Sequence, residues 1–359
     1  MSFGNGPIAR FLLERNAAQS EHYCSADVTL ARQLHRAQYP TEILAFKCMD
    51  GRLNLAVTSG LPVGIIQPFR NLGGEFDLGW PHLNDLVRQA VEYATSRGRR
   101  CIFLLTYHWS KGERHRGCYG FQYNRDAAQR FIFSLRKQVE YIFGEDHTVV
   151  YPVCMGIETD EDAYMLHGAN GKSLNLADWD PGRSIDDLRV TIERMYPDMH
   201  RDFVRDLLPI LTGNVTHIAK VRGENRPLGA MDHRERAIVL GRGVGWLHEP
   251  NYALIIGPYV PNLVEPIVNA AKIVQRNLEE ERIPVDEGAL LMTSAPFRDF
   301  VGIEPRLAMV KARTLASFAY ETIRRELPKL YERLDVLAGI VDLNTQKYSQ
   351  IDWEPASRT

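Results

Sequence analysis

The sequence predicts an α/β protein: a parallel sheet flanked by helices, present twice along the chain. Three observations lead there. Short apolar runs bounded by Gly and Pro alternate with amphipathic stretches of helical length. That alternation recurs at an offset of about 190 residues, which reads as an ancient duplication. The chain has 359 residues, enough for about two domains with a substantial core.

Taken in order, residues 1–40 read as an arm with one helix, because Ser25-Ala26-Asp27 supplies caps and Leu30, Leu34 and Ala37 follow at helical spacing before Pro40. Ile43-Leu44-Ala45-Phe46 and Val63-Gly64-Ile65-Ile66 read as strands, Leu83 to Ser96 as a helix, and Cys101 to Tyr107 as a buried strand. A helix from about Asp126 to Phe143 leads into a strand at Thr148 to Cys154. An acidic loop from Gly156 to Asp162 then precedes a strand at Ala163 to His167. Residues 184–213 are mostly helical by pattern, and the polar segment Arg222 to Gly229 is the best linker. These readings divide the chain into the arm (1–40), a first domain (41–225) and a second (230–359).

In the second domain the order repeats. Ala237 to Leu240 stands for Leu44 to Lys47, and Ala253 to Pro258 stands for Pro62 to Pro68. The helix at Leu263 to Glu279 and the strand at Ala289 to Thr293 match Leu83 to Ser96 and Cys101 to Thr106.

Composition narrows the function. Lys plus Arg total 43 against 45 Asp plus Glu, so the formal charge of -2 offers no global drive toward nucleic acid. No apolar run reaches the roughly 18 to 20 residues that cross a bilayer, and the opening MSFGNGPIARFLLERN lacks a signal-peptide pattern. Five cysteines, an odd number, point to thiols in a reducing compartment, which makes a cytoplasmic location the expectation.

All five cysteines lie in the first half: Cys24, Cys48, Cys101, Cys118 and Cys154. Cys101 and Cys154 fall in apolar strand patterns, where a thiol serves as a small hydrophobe, and Cys24 lies in the arm. The informative segment is Lys47-Cys48-Met49-Asp50-Gly51-Arg52. If the chain stays extended past the strand, a period of two puts Cys48, Asp50 and Arg52 on one side. A metal gives such a cluster its reason: zinc takes thiolate and imidazole ligands, and its catalytic sites keep three protein ligands and an open position. Partners lie in the segment Tyr107 to Cys118. His108 closes an apolar strand, where ligand sites of open parallel sheets gather, so it is favoured as the third ligand. His115, in H-x-x-C spacing with Cys118, is the alternative.

These motifs resemble the β-class carbonic anhydrases, whose first metal motif is C-x-D-x-R and whose second is a His followed by a Cys. Phe69-Arg70-Asn71-Leu72-Gly73-Gly74 resembles that family's Arg-Asn-x-Gly segment, in the same order. The closest likeness is to the carboxysomal shell branch, through Gly156 to Ala163 and a metal-free second copy, although only about 40 residues precede the first motif, so carboxysome packaging does not carry over. The resemblance implies a duplicated β-carbonic-anhydrase-like fold with a degenerate second copy. It implies zinc on Cys48, His108 (or His115) and Cys118, with Asp50 orienting the attacking oxygen and Arg52 restraining Asp50. The expected reaction is reversible hydration of CO2 to bicarbonate and a proton, in a homodimer or higher even-numbered oligomer. Hydrolysis of carbon disulfide or carbonyl sulfide on the same fold is one alternative; a non-catalytic zinc-containing shell or interaction protein is another. Whether Asp50 closes the site as a fourth ligand, as in several members, stays open.

Two decoys fail on spacing. Gly241-Arg242-Gly243-Val244-Gly245 brings its third glycine one residue early for a dinucleotide loop, and Gly168 to Ser173 lacks the first glycine of a phosphate loop. Glu158, Asp160 and Asp162 read as a solvated acidic turn, with a partner or second metal as the bolder possibility.

Overall fold

The computed structural model describes residues 3–224, 226–299 and 302–355. In chain order the elements are α1 (Pro7–Cys24), α2 (Ala26–Gln38), β1 (Glu42–Cys48), α3 (Leu55–Ser59), β2 (Ile66–Asn71), α4 (Pro81–Thr95), β3 (Cys101–Trp109) and α5 (Arg125–Phe143). There follow β4 (Val150–Glu158), β5 (Ala163–His167), β6 (Ser173–Asn175), α6 (Ile185–Met195), α7 (Arg201–Gly223), β7 (Ala237–Gly241) and β8 (Ala253–Ile256). The chain closes with α8 (Val264–Glu279), β9 (Ala289–Phe297), α9 (Ile303–Glu326), α10 (Pro328–Tyr331), β10 (Leu334–Asp342) and β11 (Tyr348–Gln350).

The chain forms two compact units. One comprises residues 30–48 and 53–232; the other comprises 1–29, 49–52 and 233–359. This departs from the expected linear division in two places. The arm is split, with α1 joining the C-terminal residues, and the four residues after Cys48 also belong with them.

In the first of these units a six-stranded sheet runs β2-β1-β3-β4-β5-β6. Its first four strands are parallel and the last two antiparallel, so the sheet is mixed where a parallel one was expected. β3 and β4 are buried along their whole length, as the continuous apolar run of a central strand requires. Phe46, stacked on Phe69 with ring centroids 5.0 Å apart, and Phe103 anchor the core beneath the C-terminal ends of β1 and β3.

Three boundaries moved. β2 begins at Ile66 and continues through Pro68, because Gly64 sits at φ +90° and breaks the run read from Val63. Pro68 is tolerated because β2 is an edge strand. β4 extends to Glu158, so Gly156 to Glu158 are strand and not loop. α7 runs to Gly223, through the start of the expected linker.

The second unit holds a five-stranded sheet, β11-β10-β9-β7-β8, parallel except for β11. Its core gathers Leu12, Val239, Trp246, Ile255, Met292 and Leu337. α1 was missed in the sequence because its buried face turns polar after Leu12, continuing through Asn16 and Ser20. Both polar groups are used: Asn16 Nδ2 donates to Gln346 O at 2.9 Å, Tyr348 N donates to Asn16 Oδ1 at 2.7 Å, and Ser20 Oγ donates to Thr345 O at 2.9 Å. No described helix is long and apolar enough to cross a membrane.

Candidate metal centre

β1 delivers Cys48 at its last residue, and β3 delivers His108 one residue before its end. The two strands are paired and parallel, so both side chains arrive at the same, carboxyl-terminal edge of the sheet. Cys118 comes from the connection between β3 and α5, immediately before a 3-10 turn at Tyr119–Phe121. All three are buried, and one donor atom from each lies within 4.8 Å of the others.

Glycines set this approach. Gly74, at φ +70°, lies so close to β1 and β3 that a Cβ there would stand 3.2 Å from Lys47 C and 3.3 Å from both Cys48 N and Thr106 O. A Cβ on Gly120 would stand 2.6 Å from Gly73. The segment Asn71 to Gly74 is therefore a spacer without side chains at its tightest points, wedged between the strand ends and the loop that carries Cys118.

The donors fit zinc. The two sulfurs are 3.9 Å apart. Tetrahedral zinc with Zn–S bonds of about 2.3 Å places two thiolates about 3.8 Å apart. A set of two thiolates and one imidazole, with no carboxylate, selects zinc over magnesium or calcium. His115, the alternative third ligand, stands elsewhere: its side chain is 70% exposed and its Nδ1 pairs with Glu113 Oε1 at 3.1 Å. The remaining buried thiols behave differently. Burial pushes both Cys101 and Cys154 up to about 12, so they stay protonated at neutral pH.

The acidic turn is not solvated. Glu158 is fully buried and accepts from the backbone N–H groups of Lys111, Asp160 and Glu161 at 3.0–3.1 Å. Asp160 accepts from Ser110 Oγ at 2.8 Å and Gly112 N at 2.7 Å. Asp162 holds His217 and Arg226. Glu158 and Asp160 thus clasp the loop that joins His108 to Cys118.

In the other unit, residues 49–52 form a turn. The strand ends at Cys48, so the condition for the period-two argument, a chain extended through Arg52, is not met. Arg52 N and Nε both donate to Asp50 Oδ1 at 2.9 Å, and Arg52 Nη2 pairs with Asp50 Oδ2 at 2.5 Å. The turn is fixed by Ile255 N donating to Met49 O and Asn251 N donating to Gly51 O. It is so close to β8 that a Cβ on Gly51 would stand 2.5 Å from Ala253 O.

Two residues that sequence reasoning passed over complete this group. His233 Nε2 lies 3.2 Å from Arg52 Nη2, and its Nδ1 lies 2.9 Å from the fully buried carboxylate of Glu235. A guanidinium only donates, so Nε2 accepts and the ring proton sits on Nδ1, donated to Glu235. Asp50, His233 and Glu235 also offer oxygens and nitrogen within metal-binding distance of one another. The Arg52 guanidinium already supplies the positive charge between Asp50 and His233. No local pattern in Asp232-His233-Arg234-Glu235 signals this role. The chain matches no protein-family model, and no curated protein matches it.

Proposed function

We propose that this chain is a zinc-dependent carbonic anhydrase of the β class, converting CO2 and water reversibly to bicarbonate and a proton. The observation that carries the reading is the donor set of Cys48, His108 and Cys118, with sulfurs 3.9 Å apart, followed two residues after Cys48 by a buried Asp50–Arg52 pair. Bound zinc supplies a Lewis acid that makes water nucleophilic near neutral pH.

The chain's own residues do the rest. Cys48, His108 and Cys118 would hold the ion through two thiolates and one imidazole, a donor set of the kind catalytic zinc sites use. Asp50 accepts a hydrogen bond from the attacking oxygen and fixes the direction of its lone pair. Arg52 occupies both carboxylate oxygens and so keeps Asp50 off the metal, which a bare carboxylate would otherwise ligate. His233 and Glu235 in turn hold Arg52. A closed structural zinc site has no use for this pair, which favours catalysis over a purely structural or shell-interaction role.

The cavity at His108 and Cys118 is lined by Lys111, Arg114 and Arg125 beside the rings of Trp109 and Tyr123. Its three cations give a charged product such as bicarbonate a partner that carbon disulfide and carbonyl sulfide cannot use. We read the second sheet as a degenerate copy of the first. The orders β2-β1-β3-β4-β5 and β8-β7-β9-β10-β11 are identical, with α4 and α8, and α5 and α9, at the same places between strands. The strand ends put Gly241 and Pro296 where the first copy has Cys48 and His108. A fused pair of copies fits assembly into a homodimer or larger even-numbered oligomer.

Metal analysis and stopped-flow CO2 hydration test the reading together. About one zinc per chain and hydratase activity are expected, with carbon disulfide and carbonyl sulfide poor substrates. Protein without zinc, or zinc-loaded protein without CO2 hydration, would falsify it.

A further inference from the structure

We propose that the outward face of α9 docks on an anionic membrane surface, the helix lying along the bilayer with its apolar stripe at the acyl-chain boundary. The proposal is independent of the chemistry at the metal centre.

α9 carries its large apolar residues on the side away from the sheet. Through its first four turns the buried positions are Ala308, Ala312, Ala316 and Ala319. Ile303, Leu307, Val310 and Phe318, in contrast, are 74%, 53%, 58% and 41% exposed. At 3.6 residues per turn these four fall within one arc of about 80°, so they form a single stripe. α8, packed beside α9 on the same sheet, has the ordinary arrangement: Ile267, Val274 and Leu278 are buried, and none of its large apolar side chains is exposed.

Cations flank the stripe. Helical geometry puts Arg306 and Arg313 on one side of it and Lys311 on the other, and all three are exposed. Among the described residues none of the three is in an ion pair. Arg313 Nε donates to Asp352 O at 3.0 Å, and Lys311 acts on Glu304 through its field. The acids of the helix are engaged: Glu304 accepts from Arg298 N and Asp299 N at 2.8 Å each, Glu321 pairs with Arg324, and Glu326 pairs with Arg325 at 2.7 Å.

Size and charge decide between occupants. The stripe is about 24 Å long and about 10 Å wide, so it offers ~250 Å² against the ~800 Å² per partner of a stable protein interface. A second copy set on it about a two-fold axis would also gather Arg306, Lys311 and Arg313 of both copies along one seam, with their acids already engaged. A bilayer has no such area threshold. An interfacial helix sinks its apolar face about 5–10 Å into the headgroup and acyl boundary. The stems of flanking Arg and Lys then lie along apolar surface while their charges reach lipid phosphates, and with cations on both sides of the stripe a flat surface meets all three.

Flotation of the full chain with vesicles tests the proposal. The wild type should float with phosphatidylcholine vesicles containing about one-third phosphatidylglycerol, stay behind with phosphatidylcholine alone, and detach at high salt. Leu307→Ser with Val310→Ser, and separately Arg306→Gln with Lys311→Gln and Arg313→Gln, should each weaken binding at least about tenfold. These side chains face solvent, so the denaturant midpoint should not fall. A gain-of-signal variant, Val310→Trp, should show a blue shift of its emission when anionic vesicles are added. A wild type that fails to float, floats equally well on phosphatidylcholine alone, or binds unchanged with either set of substitutions overturns the proposal. So does a Val310→Trp emission that does not move. Absence of flotation together with a dimer that Leu307→Ser and Val310→Ser dissolve, seen by light scattering, would instead assign the stripe to a second copy; absence of flotation without such a dimer would assign it to a protein of acidic surface.

Discussion

The two sheets share a strand order and differ in what their strands carry at the carboxyl ends. β1 ends on Cys48 and β3 on His108 and Trp109, whereas β7 ends on Gly241 and β9 on Pro296 and Phe297. Both central strands are buried and apolar over most of their length. The interior of such a sheet depends on apolar patterning alone, so it survives in either sequence. The chemistry depends on side chains at the rim, where a single substitution deletes a ligand without disturbing the sheet. The second sheet is nevertheless not idle, because its unit holds the Asp50–Arg52 turn through β8, His233 and Glu235.

The strongest test of this difference removes the ligands themselves. Cys48→Ala and Cys118→Ala should each lose zinc and drop CO2 hydration by about three orders of magnitude or more, to the level of a sheet without ligands. Metal content and stopped-flow rates measured on one preparation check this.

Next comes the carboxylate. Asp50→Asn preserves shape but weakens acceptance of a hydrogen bond, and should keep zinc while lowering kcat by about 10²-fold. Loss of zinc in that variant would mean that Asp50 holds the metal and does not serve the attacking oxygen.

Smaller effects come from the unit that holds the second sheet. His233→Ala leaves the Glu235 carboxylate buried without its imidazole donor, at a cost of about 1–3 kcal/mol in stability. It should also slow turnover with zinc content unchanged, because Arg52 loses its support. Gly51→Ala brings a Cβ against Ala253 O and should cost a similar amount, about 1–3 kcal/mol by denaturant unfolding.

An effect of similar size concerns pH, and it belongs to the unit that carries Cys48, His108 and Cys118. Burial lowers His167 to about 4 from the ordinary 6.5. The unfolded chain therefore binds the proton first on acidification, so stability contributed by neutral His167 is intact above pH 6.5 and is lost as pH falls toward 4. After allowance for partial solvent screening this amounts to about 2 kcal/mol. His167→Gln should flatten that part of the pH–stability curve.

Much of this was legible in the chain. Cys48, Asp50 and Arg52 lie within five residues, and an apolar strand precedes them, so the motif carries its own context. Cys101 and Cys154 were recognisable as core thiols from the strand patterns around them. The choice between His108 and His115 was legible only in part: spacing offers both, and it is the extension of β3 to Trp109 that buries one while the loop exposes the other. The acidic turn misled because nothing local shows that Glu158 will end a buried strand and collect three backbone amides. α1 misled for a related reason, since its polar face is completed by the β10–β11 hairpin more than 300 residues away.

The sequence by itself determined most of the elements, their alternation and the residue types able to hold a soft divalent cation, because apolar periodicity and local motifs act over a few residues. Only the tertiary structure decided which histidine joins Cys48 and Cys118, and that His233 and Glu235, 181 residues and more from Arg52, hold its guanidinium. Those choices depend on strand pairing and on backbone approaches that glycines permit, and pairing between distant segments leaves no mark on either segment alone.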